Sequence, residues 1–430
     1  MFERLKSFDQ DGLIRHGLIV LVFTHAASVA NLLFHVVMGR ELSKEEYGVL
    51  VSMLGIILLF ATPMLALQNT LAHYSRHFIN DGRSSDIFRL LKQWVRRLLL
   101  VTIPLGVLAY VFRGNIASFF HLETSTIVLI TVMTLLVTFF LPIFSGVLQG
   151  GESFVWMSIT ANGWGVIRLL LGAYLVYAYA PSALYGLAAH GIGSVISLAI
   201  GITGVLWVVR RGSTSGQAIE STDRYFLVSL ATLLAFSMLM NSDAMLVKHY
   251  FIQVEDYGNY ARASTIGRTM VFLVQPIVVA MFPKVVSRGE WSNAHARTLT
   301  RALFYSAVMV LSAAIVCSIF PQIPLLVLFK DAAPTAQSMA LVRGVCWAMA
   351  PLALTFILMN FELAQHRFEC TIPLVVCAGL YYGGVALFHQ SLWQMIWVFG
   401  AASFCSMVAL LIILFRTPKG VQAKGSEDIV

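Results

Sequence analysis

The stretch IQVEDYGNY (residues 252–260) repeats, 210 positions later, the pattern of LSKEEYGVL (residues 42–50). Each copy lies between two long apolar segments and places an acidic pair before a Tyr-Gly step. The aligned pairs are Glu45 with Glu255, Glu46 with Asp256, Tyr47 with Tyr257, and Gly48 with Gly258. A repeat at this spacing divides the 430 residues nearly in half and predicts two similar halves.

The composition places the chain in a membrane. Hydrophobic residues make up 58% of the sequence and charged residues 12%, and the mean hydropathy is +0.79. A soluble domain carries about 25% charged residues, so this chain cannot cover a soluble surface. The apolar runs are long and continuous, which predicts an all-α integral membrane protein and argues against a β-barrel. The net charge of +8 is attributed to basic loops that set topology and contact phospholipid, and nucleic-acid binding is not expected.

About twelve transmembrane helices are predicted, since each span needs about 20 apolar residues. The predicted spans are 13–38, 47–72, 95–113, 125–149, 155–179, 183–209, 225–250, 260–286, 298–320, 337–361, 371–390 and 393–416.

The basic residues predict an orientation. On this assignment, 20 of the 29 Lys and Arg residues lie in the terminal segments and the alternate loops on the same side, and six lie on the opposite side. Because cytoplasmic loops are enriched in Lys and Arg, both termini are expected in the cytoplasm of a bacterial inner membrane.

The longest polar connection, RRGSTSGQAIESTDR (residues 210–224), lies near the middle of the chain. It predicts an N-terminal lobe (1–211), a cytoplasmic linker (212–224), a C-terminal lobe (225–416) and a cytoplasmic tail (417–430). Two six-helix lobes of the same orientation imply a pseudo-twofold axis along the membrane normal, an arrangement used by several transporters.

Polar side chains within the spans are costly and therefore informative. In the first helix Thr24, Ser28, Asn31 and His35 fall within about 60° of one another on a helical wheel. This stripe predicts either hydrogen bonds between helices or the lining of a cavity. The adjacent His25 is either a packing residue or a protonatable coupling site.

Similar stripes occur in the seventh helix (Ser237, Asn241, Lys248) and the eighth (Ser264, Arg268, Gln275). Asp243 and Arg268 are expected at similar depth, because these helices are antiparallel neighbours. They form either a structural ion pair or a pair that opens for an anionic substrate or a coupling ion.

Two further arginines are predicted within spans. Arg168 is central in the fifth helix and has no acidic residue nearby in sequence, while Arg343 lies in the outer part of the tenth helix. The surplus of positive charge would suit a phosphate-bearing substrate, because the planar guanidinium binds phosphate oxygens bidentately. Arg343 could instead extend to the membrane surface.

Motifs for catalysis or metal binding are not found. The sequence has no HExxH, P-loop or GxSxG motif, its loops are short, and its five cysteines form no CxxC pair. Neither a cofactor nor a metal is therefore expected, and the cysteines are interpreted as small buried hydrophobic residues.

The stretch NSDAMLVKHYFIQVEDYGNYARASTIGRTMVFLVQPIVVAMFPKVVSR (residues 241–288) resembles bacterial polysaccharide-export proteins. The resemblance is carried by Asp243, by the turn residues Asp256, Gly258, Tyr260 and Ala263, and by Phe282-Pro283. GRELSKEEYGVL (residues 39–50), LQGGESF (residues 148–154) and LAQHRF (residues 363–368) are also typical. The chain as a whole resembles Wzx-type oligosaccharide flippases of the multidrug/oligosaccharidyl-lipid/polysaccharide (MOP) superfamily.

This resemblance implies two pseudo-symmetric six-helix lobes around a central cavity and alternating-access transport of undecaprenyl-diphosphate-linked oligosaccharide for surface polysaccharide. The pathway's polymerase and glycosyltransferases would be partners. The candidate substrate-binding residues are Arg168, Arg268, Arg343, Ser28, Asn31, Asn241 and Gln275, and the candidates for coupling or gating are Asp243, His25 and Lys248.

Two alternatives remain at this stage. The first is a drug or metabolite exporter of the same superfamily, and the second is a membrane glycosyltransferase or ligase. The charged first-helix motif of lipid II flippases is absent, and a neutral stripe (Thr24–His35) occupies its place, so lipid II ranks lower as a substrate.

Overall fold

The computed structural model describes residues 13–209, 223–286, 293–365 and 367–416. Over these residues the secondary structure is helical and contains no β-strand. The chain forms two compact units, Met1–Leu230 and Ala231–Val430. The predicted linker (212–224) lies, up to residue 222, outside the described residues, as does the predicted tail (417–430).

The described part of the N-terminal unit contains nine helices and a short 3₁₀ turn (Thr62–Met64). In chain order the helices are α1 (Leu13–Glu41), α2 (Lys44–Ala61), α3 (Leu65–Asn80), α4 (Ser84–Val111), α5 (Arg113–Phe119), α6 (Ser125–Thr138), α7 (Leu141–Gly150), α8 (Phe154–Ala178) and α9 (Ala183–Val208).

The described part of the C-terminal unit contains eight helices, of which α10 begins just before the unit boundary. They are α10 (Asp223–Asn241), α11 (Asp243–Tyr250), α12 (Val254–Val286), α13 (Asn293–Ile319), α14 (Gln322–Phe329), α15 (Ala336–Ala364), α16 (Thr371–Leu387) and α17 (Leu392–Arg416). Helix α15 packs against α12, α13 and α17 and so forms the centre of this unit.

Every predicted span coincides with a helix or a broken helix pair. Within the described residues, nine spans are long and apolar enough to cross a membrane, and the bent pair α10–α11 makes a tenth. The remaining two predicted spans, 260–286 and 371–390, fall on α12 and on the shorter apolar helix α16. The prediction of an all-α membrane protein is thereby confirmed.

The exposed surface of α4 illustrates why lipid is required. Its second half presents large apolar side chains outward, among them Leu100 (67% exposed), Ile103 (59%) and Val111 (62%). Water cannot solvate a continuous apolar face of this size without a large free-energy cost, whereas acyl chains can.

The repeated acidic-Tyr-Gly turn has the same structural use in both units. In the first copy, Glu46 accepts hydrogen bonds from the Ala183 backbone N–H and, at 3.1 Å, from Ser182 Oγ at the start of α9. In the second, Asp256 accepts from Gln337 Nε2 (2.9 Å) at the start of α15. Each acidic side chain therefore ties its turn to the beginning of another helix, where a helix N-terminus favours negative charge.

Candidate functional site

The best-defined polar cluster of the N-terminal unit surrounds Arg168 on α8. Arg168 is 3% exposed, its Nη2 donates to Asn31 Oδ1 (2.7 Å), and its Nη1 lies 3.0 Å from His190 Nδ1. The guanidinium carbon lies 4.1 Å from the ring centroid of Phe34 and 5.1 Å from that of Trp164. We call these five residues the Arg168 cluster.

Small residues let three helices meet closely around this arginine. A Cβ at Gly165 of α8 would lie 3.2 Å from Asn31 Oδ1, and a Cβ at Gly193 of α9 would lie 2.9 Å from the carbonyl oxygen of Trp164. Glycine at these positions therefore brings α1 and α9 within hydrogen-bonding distance of the α8 side chain. Membrane helices commonly use small residues for such close approaches.

The partners of Arg168 are all neutral. Among the described residues no carboxylate lies within ion-pair distance of its guanidinium. Because arginine only donates, His190 Nδ1 must accept, which leaves the ring proton on Nε2. His190 also stacks on Trp164, with 4.8 Å between ring centroids. Among the described residues, the positive charge of this buried arginine is therefore met by neutral acceptors and aromatic faces and is not balanced by a carboxylate.

The contacts of Arg168 offset part, but not all, of the free-energy cost of burying its charge. An arginine at the centre of a membrane helix costs about 2.5–3.5 kcal/mol on insertion scales. A desolvated cation–π contact returns about 2 kcal/mol. Nε of Arg168 has no hydrogen-bond partner, so part of its donor capacity is unused. An anion would satisfy both the charge and the remaining donor.

The C-terminal unit contains a different arrangement around Asp243. Arg268 Nη2 lies 2.8 Å from Asp243 Oδ1, and Ser264 Oγ donates to Oδ2 at 2.5 Å. The α10–α11 pair bends by 52° at Ser242, so Asp243 stands in the first turn of α11, where the helix N-terminus favours a carboxylate. The ion pair weighed from the sequence is present, and it is buried.

The repeated tyrosines face protonatable or cationic side chains of the preceding helix in both units. Tyr47 OH lies 3.1 Å from His35 Nδ1 in the N-terminal unit. In the C-terminal unit, Lys248 Nζ lies 3.5 Å from the ring centroid of Tyr257, and both residues are buried. Lys248 is thus placed against an aromatic face.

The predicted stripe of the first helix is divided by the structure. Asn31 is half-buried on Arg168 and His35 is half-buried on Tyr47, whereas Ser28 is exposed and donates to the Thr24 backbone carbonyl (2.9 Å). His25 is exposed. The buried face of α1 instead follows its apolar residues, which pack on α8.

Three remaining candidates occupy separate places in the C-terminal unit. Asn241 is buried and donates to Ser237 Oγ within its own helix (2.9 Å), and Gln275 is half-buried on α12. Arg343 is exposed and donates through Nε to the carbonyl oxygen of Ser318 (2.8 Å) at the end of α13. Among the described residues, neither Asn241 nor Arg343 hydrogen-bonds to the Asp243–Arg268 pair.

His190 was missed by sequence reasoning. It lies in the apolar run of the sixth predicted span, 22 positions after Arg168, and nothing in the sequence pairs the two. The available signal was weak: a histidine within a membrane helix, followed by Gly191 and Gly193, which allow a neighbouring helix to approach.

The comparisons with known proteins concern the fold. No protein-family model matches the sequence, and no curated protein matches it significantly. A structure of the lipid II flippase MurJ in an inward closed conformation aligns with a TM-score of 0.70 at 14% identity, covering 93% of this chain and 88% of MurJ.

Transporters align as well. An inward-facing multidrug resistance MATE family transporter of the MOP superfamily gives a TM-score of 0.64 at 12% identity, covering 92% of this chain and 96% of the transporter. The eukaryotic MATE transporter AtDTX14 gives 0.61 at 12% identity, covering 98% and 100%. The chain therefore has the helical membrane fold that is found in this lipid flippase and in MATE transporters.

Proposed function

We propose that the protein is a MOP-superfamily flippase that moves an undecaprenyl-diphosphate-linked oligosaccharide from the cytoplasmic to the outer leaflet by alternating access. Its product would supply surface polysaccharide such as O-antigen, capsule or exopolysaccharide. The proposal places it in the bacterial inner membrane with both termini in the cytoplasm.

The observation that carries the proposal is the uncompensated charge of Arg168. A phosphate-bearing substrate needs fixed positive charge that no protein carboxylate already neutralises, and the Arg168 cluster provides it with neutral partners. Arg268 is already paired with Asp243, so in this proposal it contributes only when that pair opens. The MurJ-like fold supports a lipid-linked substrate as a class.

The remaining candidates have supporting roles in the proposal. Asn31, Ser28, Asn241 and Gln275 would offer hydrogen bonds to sugar hydroxyls, and Asp243, His25 and Lys248 would serve coupling or gating. Arg343 is the weakest substrate candidate, because it is exposed and bonded to a helix-terminal carbonyl.

The test is complementation of a strain that lacks the gene. The wild-type protein should restore surface glycan, and Arg168→Ala should not, although the variant inserts in equal amount. Undecaprenyl-linked precursor should accumulate on the cytoplasmic side of the mutant membrane. Normal surface glycan with Arg168→Ala would remove this arginine from the mechanism.

A drug or metabolite exporter is the second candidate, and the MATE-like fold favours it equally. Such an exporter would make the deletion strain sensitive to amphipathic or cationic compounds while its glycan stays normal. The deletion strain therefore separates the two functions: loss of glycan supports the flippase, and drug sensitivity with intact glycan supports the exporter.

A further inference from the structure

Three carboxylates are buried among the described residues, and one of them differs from the others. These are Asp86, Asp243 and Glu362. Asp86 and Asp243 each accept short hydrogen bonds at both oxygens from arginine or serine side chains. Glu362 is 2% exposed, yet neither of its carboxylate oxygens has a hydrogen-bond partner.

The position of Glu362 gives its charge little support. It lies in the last turn of α15, where the helix dipole disfavours a negative charge. Its backbone carbonyl accepts from the N–H groups of Gln365 (3.1 Å) and Arg367 (2.9 Å), so the following turn folds tightly over it. Of the side chains that the structure describes, Arg367 alone approaches the carboxylate, with Nε at 3.5 Å from Oε2 and without hydrogen-bond geometry.

Arg367 has a second, better hydrated partner. Its Nη2 lies 3.5 Å from Glu369 Oε2, and the Glu369 side chain is 58% exposed whereas that of Glu362 is 2% exposed. One guanidinium is therefore held between a buried carboxylate and an exposed one at equal distances. If the buried carboxylate were neutral, Arg367 could bind Glu369 alone.

The thiol of Cys370, which lies close to Glu362, does not compete with it for a proton. Burial raises the pKa of the Cys370 thiol to about 12, so the thiol stays protonated at physiological pH. His366 precedes Arg367 in the sequence and lies outside the described residues. Arg367 and Glu369 are thus the charged groups that act on Glu362 among the described residues.

A buried carboxylate without donors is expensive in its ionised form, because neither water nor a protein donor replaces its hydration. We propose that Glu362 is a proton-binding site at the end of α15, and that its protonation releases Arg367 to Glu369. The link to transport rests on the proposed function: one proton bound at this turn per cycle would couple the C-terminal unit to the proton gradient.

The direct test is infrared spectroscopy of the purified full-length protein over a pH series. Wild type should show the carbonyl stretch of a protonated carboxylic acid that disappears on alkalinisation, and Glu362→Gln should lack it. Identical difference spectra for wild type and Glu362→Gln would overturn the proposal.

Three control variants assign the band. Glu369→Gln and His366→Gln should retain it, because the first side chain is exposed and the second carries no carboxyl group. Arg367→Gln should keep the band to higher pH than wild type, since the stabilising cation is gone. This variant leaves Glu362 in place, so it tests the proposal even if Glu362→Gln fails to fold. If the band of Arg367→Gln disappeared at the same pH as that of wild type, the proposed interaction of Arg367 with Glu362 would be contradicted.

A cellular arm tests the link to transport. A protonophore should lower glycan export by wild type, and residual export by Glu362→Gln should not respond to it. Equal protonophore responses would overturn the coupling, whereas a deletion strain with normal glycan would overturn the proposed function and leave the infrared result valid.

Discussion

The two units each bury an arginine among polar neighbours, and they treat its charge in opposite ways. In the C-terminal unit Arg268 forms an ion pair with Asp243, whose second oxygen is bonded by Ser264. In the N-terminal unit Arg168 has Asn31 and His190 as neutral acceptors. A compensated pair holds helices together, whereas an uncompensated cation leaves charge available for a ligand.

The largest expected effect comes from breaking the compensated pair. Arg268→Ala leaves Asp243 buried and unpaired, which should cost about 3–5 kcal/mol of stability. The double variant Asp243→Ala/Arg268→Ala should recover most of that loss, because no buried charge remains. Thermal unfolding of the purified protein in detergent measures both. If the stability of Arg268→Ala were within about 1 kcal/mol of that of wild type, a structural role for the ion pair would be contradicted.

The second effect should be larger in transport than in stability. Arg168→Lys keeps the positive charge but loses the planar fork that reaches Asn31 and His190 together. Charge-assisted hydrogen bonds contribute about 1.5–3 kcal/mol each, so export should fall about tenfold to a hundredfold. Surface glycan per inserted protein gives the measurement.

The unfolding temperature of Arg168→Lys serves as the control for that prediction. It should fall by less than that of Arg268→Ala, because lysine can still bond one of the two neutral acceptors and no opposite charge is left unpaired. A large drop in stability with normal export per folded molecule would make Arg168 a structural residue, equivalent to Arg268.

A third, smaller effect concerns the residue that positions the arginine. His190→Leu removes the acceptor for Arg168 Nη1. The unsatisfied donor should lower the free energy of unfolding by about 1–3 kcal/mol. His190→Gln supplies a new acceptor and should restore part of the export. Equal export by the Leu and Gln variants would show that the hydrogen bond is not what matters at this position.

The smallest effect is expected at the exposed arginine. Arg343 is exposed and donates one hydrogen bond to the Ser318 carbonyl, so Arg343→Gln should change stability by less than about 0.5 kcal/mol and leave export unchanged. Complementation with this variant checks the result. A loss of export comparable with that of Arg168→Lys would return Arg343 to the substrate site.

Much of the fold could be predicted from the sequence because the length of an apolar segment is a local property of the chain. The twelve predicted segments coincide with helices, and the depth argument placed Asp243 beside Arg268, where they pair at 2.8 Å. The 52° break at Ser242 was not predicted, because no Pro or Gly stands there. At the break, the Ser242 hydroxyl hydrogen-bonds to the Tyr382 hydroxyl of α16, a partner that lies far away in the sequence.

The candidate site could be predicted only in part. Arg168 and Asn31 were both named, but as separate groups for phosphate and sugar, and their mutual hydrogen bond depends on how closely α1 meets α8 at Gly165. The role of His190 depends on a neighbour that is distant in sequence, and the unsatisfied carboxylate of Glu362 depends on its burial in the folded unit. A helical wheel gives the face of one helix and contains no information about which helix covers it.

The sequence by itself determined that this chain is a membrane protein and which segments form its helices. It also determined that the two halves share an acidic-Tyr-Gly turn. Each of these features depends on residues that are close together in the chain. Only the tertiary structure decided which buried charges are compensated. For Arg168 and Arg268, compensation requires a side chain from a different helix to come within about 3 Å, and that distance is set by the packing of whole helices.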